Sequence, residues 1–256
     1  MIRRVFVVAS MLVVIALASS PLWAQGNSEQ QSPIFTYVAQ WDVPRAQWAD
    51  MVKVDAADKP LMDSLVADGT VIAYGSFENR IHSENGMTHG SWFTASSLGN
   101  IFKALDKIYA QPGSTTSPVQ AASKHMDYLM ISTTYGGKTF TNTTGYRRVV
   151  SAQLKPGRER EFLDTYRRYV QPVYAKLLAD GDILAYQLDA EYNIENAPGR
   201  FFSAVITRDA ESLDKARVAL NEVYEKNPAI TAALVSCIEP NSRNDFLARV
   251  TNMSHK

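Results

Sequence analysis

One cysteine and four histidines are the only thiol and imidazole groups in 256 residues. A single thiol closes no intramolecular disulfide, so the fold must be held by its core alone. Cys237 sits beside Val235 and Ile238 and reads as a small packed hydrophobe rather than a nucleophile. Net charge is missing too: 26 basic side chains balance 26 acidic ones. Removing a segment that carries Arg3 and Arg4 leaves 26 − 2 = 24 basic residues, so the rest has a formal charge of −2. Such a chain lacks the basic footprint of a nucleic-acid binder, and no nucleic-acid partner is expected. The sequence has no Gly-x-Gly-x-x-Gly, no Gly-x-x-x-x-Gly-Lys-Ser/Thr, no Gly-x-Ser-x-Gly and no His-Glu-x-x-His. These absences remove the dinucleotide fold, the P-loop, the nucleophile elbow and the zincin helix. No cofactor and no metal site is assigned.

A long apolar run occurs at the start, from Val5 to Ala18, behind Arg3 and Arg4 and ahead of Ser19-Ser20-Pro21 and Leu22-Trp23-Ala24. That layout is a secretory signal peptide over 1–24, and the run falls short of a spanning helix. The expectation is a periplasmic or secreted protein with no membrane association once the signal is removed. Residues 25–33 are polar and aperiodic and read as a flexible leader.

The rest is written twice. Pro44, Pro60, Asp68-Gly69 and Ala73-Tyr74 recur as Pro156, Pro172, Asp180-Gly181 and Ala185-Tyr186, since 156 − 44, 172 − 60, 180 − 68 and 185 − 73 all equal 112. Each copy opens with a strand and a helix that ends at Asp-Gly, a left-handed cap. In the second copy Phe162, Tyr166, Val170, Val173 and Leu177 form the apolar stripe of that helix. Pro60 and Pro172 lie inside these helices and predict a kink or break in both. A hairpin follows (strands 71–77 and 90–95, then 183–192 and 200–207), then a second helix (98–110, then 211–226) and a closing strand. Repeat one spans 34–136, repeat two 146–256, and the Gly-, Thr- and Asn-rich stretch 137–145 reads as a linker.

The order β-α-β-β-α-β is the ferredoxin-like unit, an antiparallel sheet with both helices on one face. The fold class is α+β: two tandem units packed sheet to sheet, each covering the other's bare face. Tyr74, Trp92, Tyr186 and Phe202 are large strand residues available for that face. With Leu-Val-Ala-Asp-Gly-Thr-Val-Ile-Ala-Tyr at 65–74 and Leu-Leu-Ala-Asp-Gly-Asp-Ile-Leu-Ala-Tyr at 177–186, the duplicated unit resembles the dimeric α/β-barrel superfamily, among its exported, uncharacterised members. The resemblance implies a pocket enclosed by the barrel. It does not imply one reaction, because the superfamily includes cofactor-independent monooxygenases, haem enzymes and isomerases. The haem branch, chlorite-dismutase-like, carries its proximal histidine in the C-terminal half, where this chain has only His255.

His82 and His89 flank the first hairpin turn and have no counterpart in the second copy. Facing residues on paired strands approach closely, and imidazole is an acid–base group at physiological pH. Their His-x6-His spacing matches no zinc motif. Three readings stay open. One is a barrel that binds a small, largely apolar molecule between its sheets, lined by Trp41, Tyr74, Trp92, Tyr186 and Phe202. Another is a cofactor-independent oxygenase or isomerase with His82 or His89 as general base and Tyr74 positioning the substrate. The third is a structural role with no ligand. The duplication fits a monomeric pseudo-dimer, and edge strands leave room for a homo-oligomer.

Overall fold

The computed structural model describes residues 31–81, 86–111, 117–192 and 199–256. Eight strands form one closed antiparallel barrel: β1 (Ile34–Asp42), β2 (Ala73–Asn79), β3 (His89–Ala95), β4 (Lys124–Gly137), β5 (Phe140–Gln153), β6 (Ala185–Glu191), β7 (Arg200–Thr207) and β8 (Asn244–His255). Around the barrel they run β1-β3-β2-β8-β5-β7-β6-β4. The first four strands in sequence and the last four each form a sheet. The β2–β8 and β4–β6 ladders then join the two sheets. Closure gives every strand two neighbours, so the barrel has no free edge.

Seven helices pack outside: α1 (Trp48–Ala67), α2 (Leu98–Tyr109), α3 (Pro118–Ala121), α4 (Glu159–Thr165), α5 (Gln171–Asp180), α6 (Ala210–Lys226) and α7 (Pro228–Ser236). None of the described helices is long and apolar enough to cross a membrane. Gly181 caps α5 at φ 88°, and Gly69 follows α1 at φ 78°, the left-handed conformation that glycine adopts without strain. Ser97 and Asp209 cap α2 and α6 by accepting from Asn100 N–H at 3.2 Å and Ser212 N–H at 2.8 Å.

Three sequence expectations change. The predicted linker 137–145 is mostly strand, and only Lys138 and Thr139 separate β4 from β5. Apart from Thr139, its Thr and Asn residues lie in the first part of β5, which runs beside β8 there. The two prolines also behave differently. α1 continues through Pro60. In the other half a π-turn at Tyr166–Val170 separates α4 from α5, Gln171 N–H reaches back to Tyr166 O, and Pro172 falls in the first turn of α5. A proline costs little there, because the first amides of a helix have no partner inside it.

The third change concerns the strand aromatics. Successive side chains on a strand point to opposite faces. Trp92 and Phe202 do point into the barrel, with Val38, Phe77 and Val250. Tyr74 and Tyr186 point the other way, into the two helix–sheet layers. Gly75, beside Tyr74, takes the inward position opposite Trp92, where any Cβ would overlap the indole. Inside the barrel the Arg147 guanidinium lies 4.4 Å from the Phe77 ring and 5.3 Å from the Trp92 ring, near buried Asp189. Two cavities of about 50 Å³ flank it, and one of about 120 Å³ lies at the end marked by Ile34 and His255. Side chains therefore fill most of the space between the sheets where a ligand was expected.

Candidate functional site

A larger cavity, about 470 Å³, lies outside the barrel, between the outer face of β1, β2 and β3 and the helices α1, α2 and α3. Small side chains lower its sheet wall: Ala39, Ser91 and Ser76 lie side by side across β1, β3 and β2. The helix wall follows from the spacing of α1. Met51, Asp55, Asp58, Met62 and Leu65 recur every three or four residues and so share one face. Met51, Met62 and Leu65 are buried, while Asp55 and Asp58 open onto the cavity between them.

The C-terminal half is solid at the corresponding place. Residues 112 positions later are larger and apolar: Val170 for Asp58, Tyr174 for Met62 and Leu188 for Ser76. All three belong to a packed cluster with Phe162, Tyr166 and Phe201. At these equivalent positions, identical spacing with different side chains leaves a cavity in one half and a packed layer in the other.

The cavity's polar groups are unusual. Burial pushes the Asp55 carboxyl up to about 7, opposed by a hydrogen bond from the Ser76 hydroxyl and reinforced by the nearby Asp58 charge. Burial also raises Asp58 above the ordinary carboxylate range. The Tyr37 phenol is driven far above its usual value, first by burial and then by the Asp127 carboxylate and Tyr109 hydroxyl to which it hydrogen-bonds. His125 Nε2 lies 2.8 Å from Asp127 Oδ1, and its ring stacks on Trp41 at 4.9 Å. Tyr74 donates to Asp63 Oδ1 at 2.6 Å, and Lys59 holds the other oxygen of Asp63 at 2.5 Å. A carboxyl titrating near neutrality inside a largely apolar cavity can hold or move a proton at working pH.

Trp41, Tyr74 and Trp92 all border this cavity. Phe202 lies inside the barrel, and Tyr186 packs in the C-terminal helix–sheet layer, stacked on Tyr174 at 5.7 Å. His89 is not on the cavity wall. It is buried, with Nδ1 3.0 Å from Thr88 Oγ1 and its ring edge-on to Trp48 at 5.3 Å. His82 lies outside the described residues, so the histidine pair across the hairpin does too. Asp55 and Asp58 were missed because acidic residues on an exposed-looking helix read as a solvated face. The signal was present: a three-and-four stripe with aspartates at its centre, matched 112 residues later by Arg167 and Val170.

A haem does not fit the C-terminal half. Its helix–sheet layer is filled by aromatic side chains. The one histidine, His255, stacks on Phe140 at 5.7 Å and hydrogen-bonds the Lys138 backbone.

No family model matches the chain, and no curated protein does. Solved structures do. A proposed monooxygenase from Lactobacillus acidophilus superposes with a TM-score of 0.63 at 12% identity, covering 88% of this chain and 97% of that one. An anthrone oxidase-like protein gives 0.53 at 10% identity, over 88% and 94%. A chlorite dismutase variant from Candidatus Nitrospira defluvii gives 0.50 at 12% identity, over 85% and 90%. At such identities the likeness shows a shared fold, a closed antiparallel barrel ringed by helices, and leaves activity open.

Proposed function

We propose that this chain is an exported α/β barrel of two tandem ferredoxin-like repeats that binds a small, largely apolar molecule in its N-terminal helix–sheet cavity. The observation that carries the reading is the cavity itself: about 470 Å³, aromatic-walled, with a few converging polar groups. The barrel is complete within one chain, in keeping with a monomer. The test is native mass spectrometry of the mature protein recovered from periplasm or medium, beside an Asp58→Val/Ser76→Leu variant with the cavity filled. A small molecule retained by the natural protein and lost from the variant supports the reading. An empty protein that also shows no tryptophan fluorescence change with a panel of small aromatic compounds refutes it.

A second reading, cofactor-independent oxidation, draws on Asp55 and on the monooxygenase and anthrone oxidase-like names of the structural neighbours. The acid–base role expected of the hairpin histidines passes here to Asp55. Its carboxylate takes a proton from an activated methylene, and the resulting carbanion gives its electrons to dioxygen. The methylene becomes a carbonyl, and the second oxygen atom leaves as water. Oxygen uptake with anthrone as probe, equal in moles to product and lost in Asp55→Asn, is the expected result. Uptake no faster than without protein ends this reading.

A further inference from the structure

The charges around the cavity do not balance. Lys59 is matched by Asp63 at 2.5 Å, and Asp127 has the His125 ring nitrogen as a hydrogen-bonding neighbour at 2.8 Å. Asp55 and Asp58 also face the cavity, yet neither joins any ion pair among the described residues. The Ser76 hydroxyl hydrogen-bonds the Asp55 carboxyl. Positions three apart on a helix are neighbours, so the two carboxyls present one acidic patch. Around it stand aromatic walls, among them Tyr37, Trp41, Tyr74, Phe93 and Tyr109.

Each kind of occupant meets this surface differently. A neutral molecule would bury two carboxyls with no counter-charge, which is costly unless they are neutral. An anion would add repulsion. A cation supplies the missing counter-charge, and aromatic faces attract it as well. We infer that the ligand is an organic ammonium compound, its charged head between Asp55 and Asp58 and its apolar body against the aromatic walls. The inference rests on the binding reading above and narrows it to one class of molecule.

Three soluble probes of similar shape test it: 2-phenylethylammonium, 2-phenylethanol and phenylacetate. Their affinities are measured calorimetrically at pH 7.5 with the full mature chain. The expected order is ammonium tightest, at least tenfold over the alcohol, with phenylacetate weakest. In Asp55→Asn/Asp58→Asn that tenfold preference falls to about one. Asp58→Asn alone, which keeps Asp55, retains part of it, and thermal melting checks that both variants are folded. An alcohol that binds as tightly as the ammonium overturns the inference and leaves the binding reading standing. A preference that survives intact in the folded double variant also overturns it. If none of the three binds, and the panel in the fluorescence test is silent as well, both fall together.

Discussion

Replacing Asp189 with asparagine should flatten the dependence of stability on pH. Asp189 is 3% exposed, deep inside the barrel. Its carboxyl accepts a hydrogen bond from the Gln187 amide, which also donates to Thr36 Oγ1 at 2.8 Å. Burial raises the carboxyl to about 7, against the pull of that hydrogen bond and of the Arg147 charge. The folded state therefore holds the proton more tightly than the unfolded chain, whose value is 3.8. The stability linked to this group is fully present below the unfolded value and is lost as pH rises through the folded one. From 3.8 to about 7 the whole loss is roughly 4 kcal/mol. Between pH 5 and pH 8 it is about 2–3 kcal/mol. Asparagine keeps an oxygen for Gln187 and cannot ionise. Asp55, also raised to about 7, adds the same slope to both proteins and cancels. Urea unfolding of natural protein and Asp189→Asn at pH 5, 6, 7 and 8 gives the difference directly. It should widen in favour of the variant by about 2–3 kcal/mol across the range. A difference constant to within about 0.5 kcal/mol would show that Arg147 holds Asp189 ionised at no cost, and the reasoning fails.

Filling the cavity with the side chains found 112 residues later, as Asp58→Val/Met62→Tyr/Ser76→Leu, should weaken ligand binding more than tenfold while the melting temperature holds or rises; a titration and a melt decide it. Gly75→Ala should cost about 1–3 kcal/mol in urea unfolding, because its Cβ would overlap the Trp92 ring. His89→Ala should cost about 1–3 kcal/mol of stability through the lost Thr88 and Trp48 contacts, yet leave ligand affinity unchanged. A loss of affinity without loss of stability would restore His89 to the site.

The barrel was legible in the chain because its punctuation repeats. The Asp-Gly caps, the hairpin turns and the 112-residue offset place the hairpin strands and the helix after each hairpin to within a few residues. Face was harder to read than element. Tyr74 and Gly75 are adjacent, and one position of parity decides which points at the helices; only the ladder with β3, Gly75 opposite Trp92, settles it. The cavity was harder still. A pocket is made of what is absent, here the bulk of Tyr174 and Leu188 at Met62 and Ser76, and absence shows only when the two halves are compared side by side. α1 hides it further, since Asp55 and Asp58 look like solvent residues until Met51, Met62 and Leu65 fix which way the helix lies. His89 misled for the opposite reason. Beside a turn and without a counterpart in the second copy it read as a candidate base, and strand pairing buried it against Trp48.

Closure by the β2–β8 and β4–β6 ladders has a consequence for what each half is free to become. A half-barrel on its own would show two raw strand edges and an apolar inner face, and would seek another copy of itself. A pair of identical copies must carry identical interiors, two pockets or none. Covalent joining through Lys138-Thr139 removes that obligation, since each half always meets the other. In this chain the N-terminal half holds the cavity, with Asp55 and Asp58 on its wall. In the C-terminal half the matching positions carry Tyr174 and Leu188, packed in its helix–sheet layer.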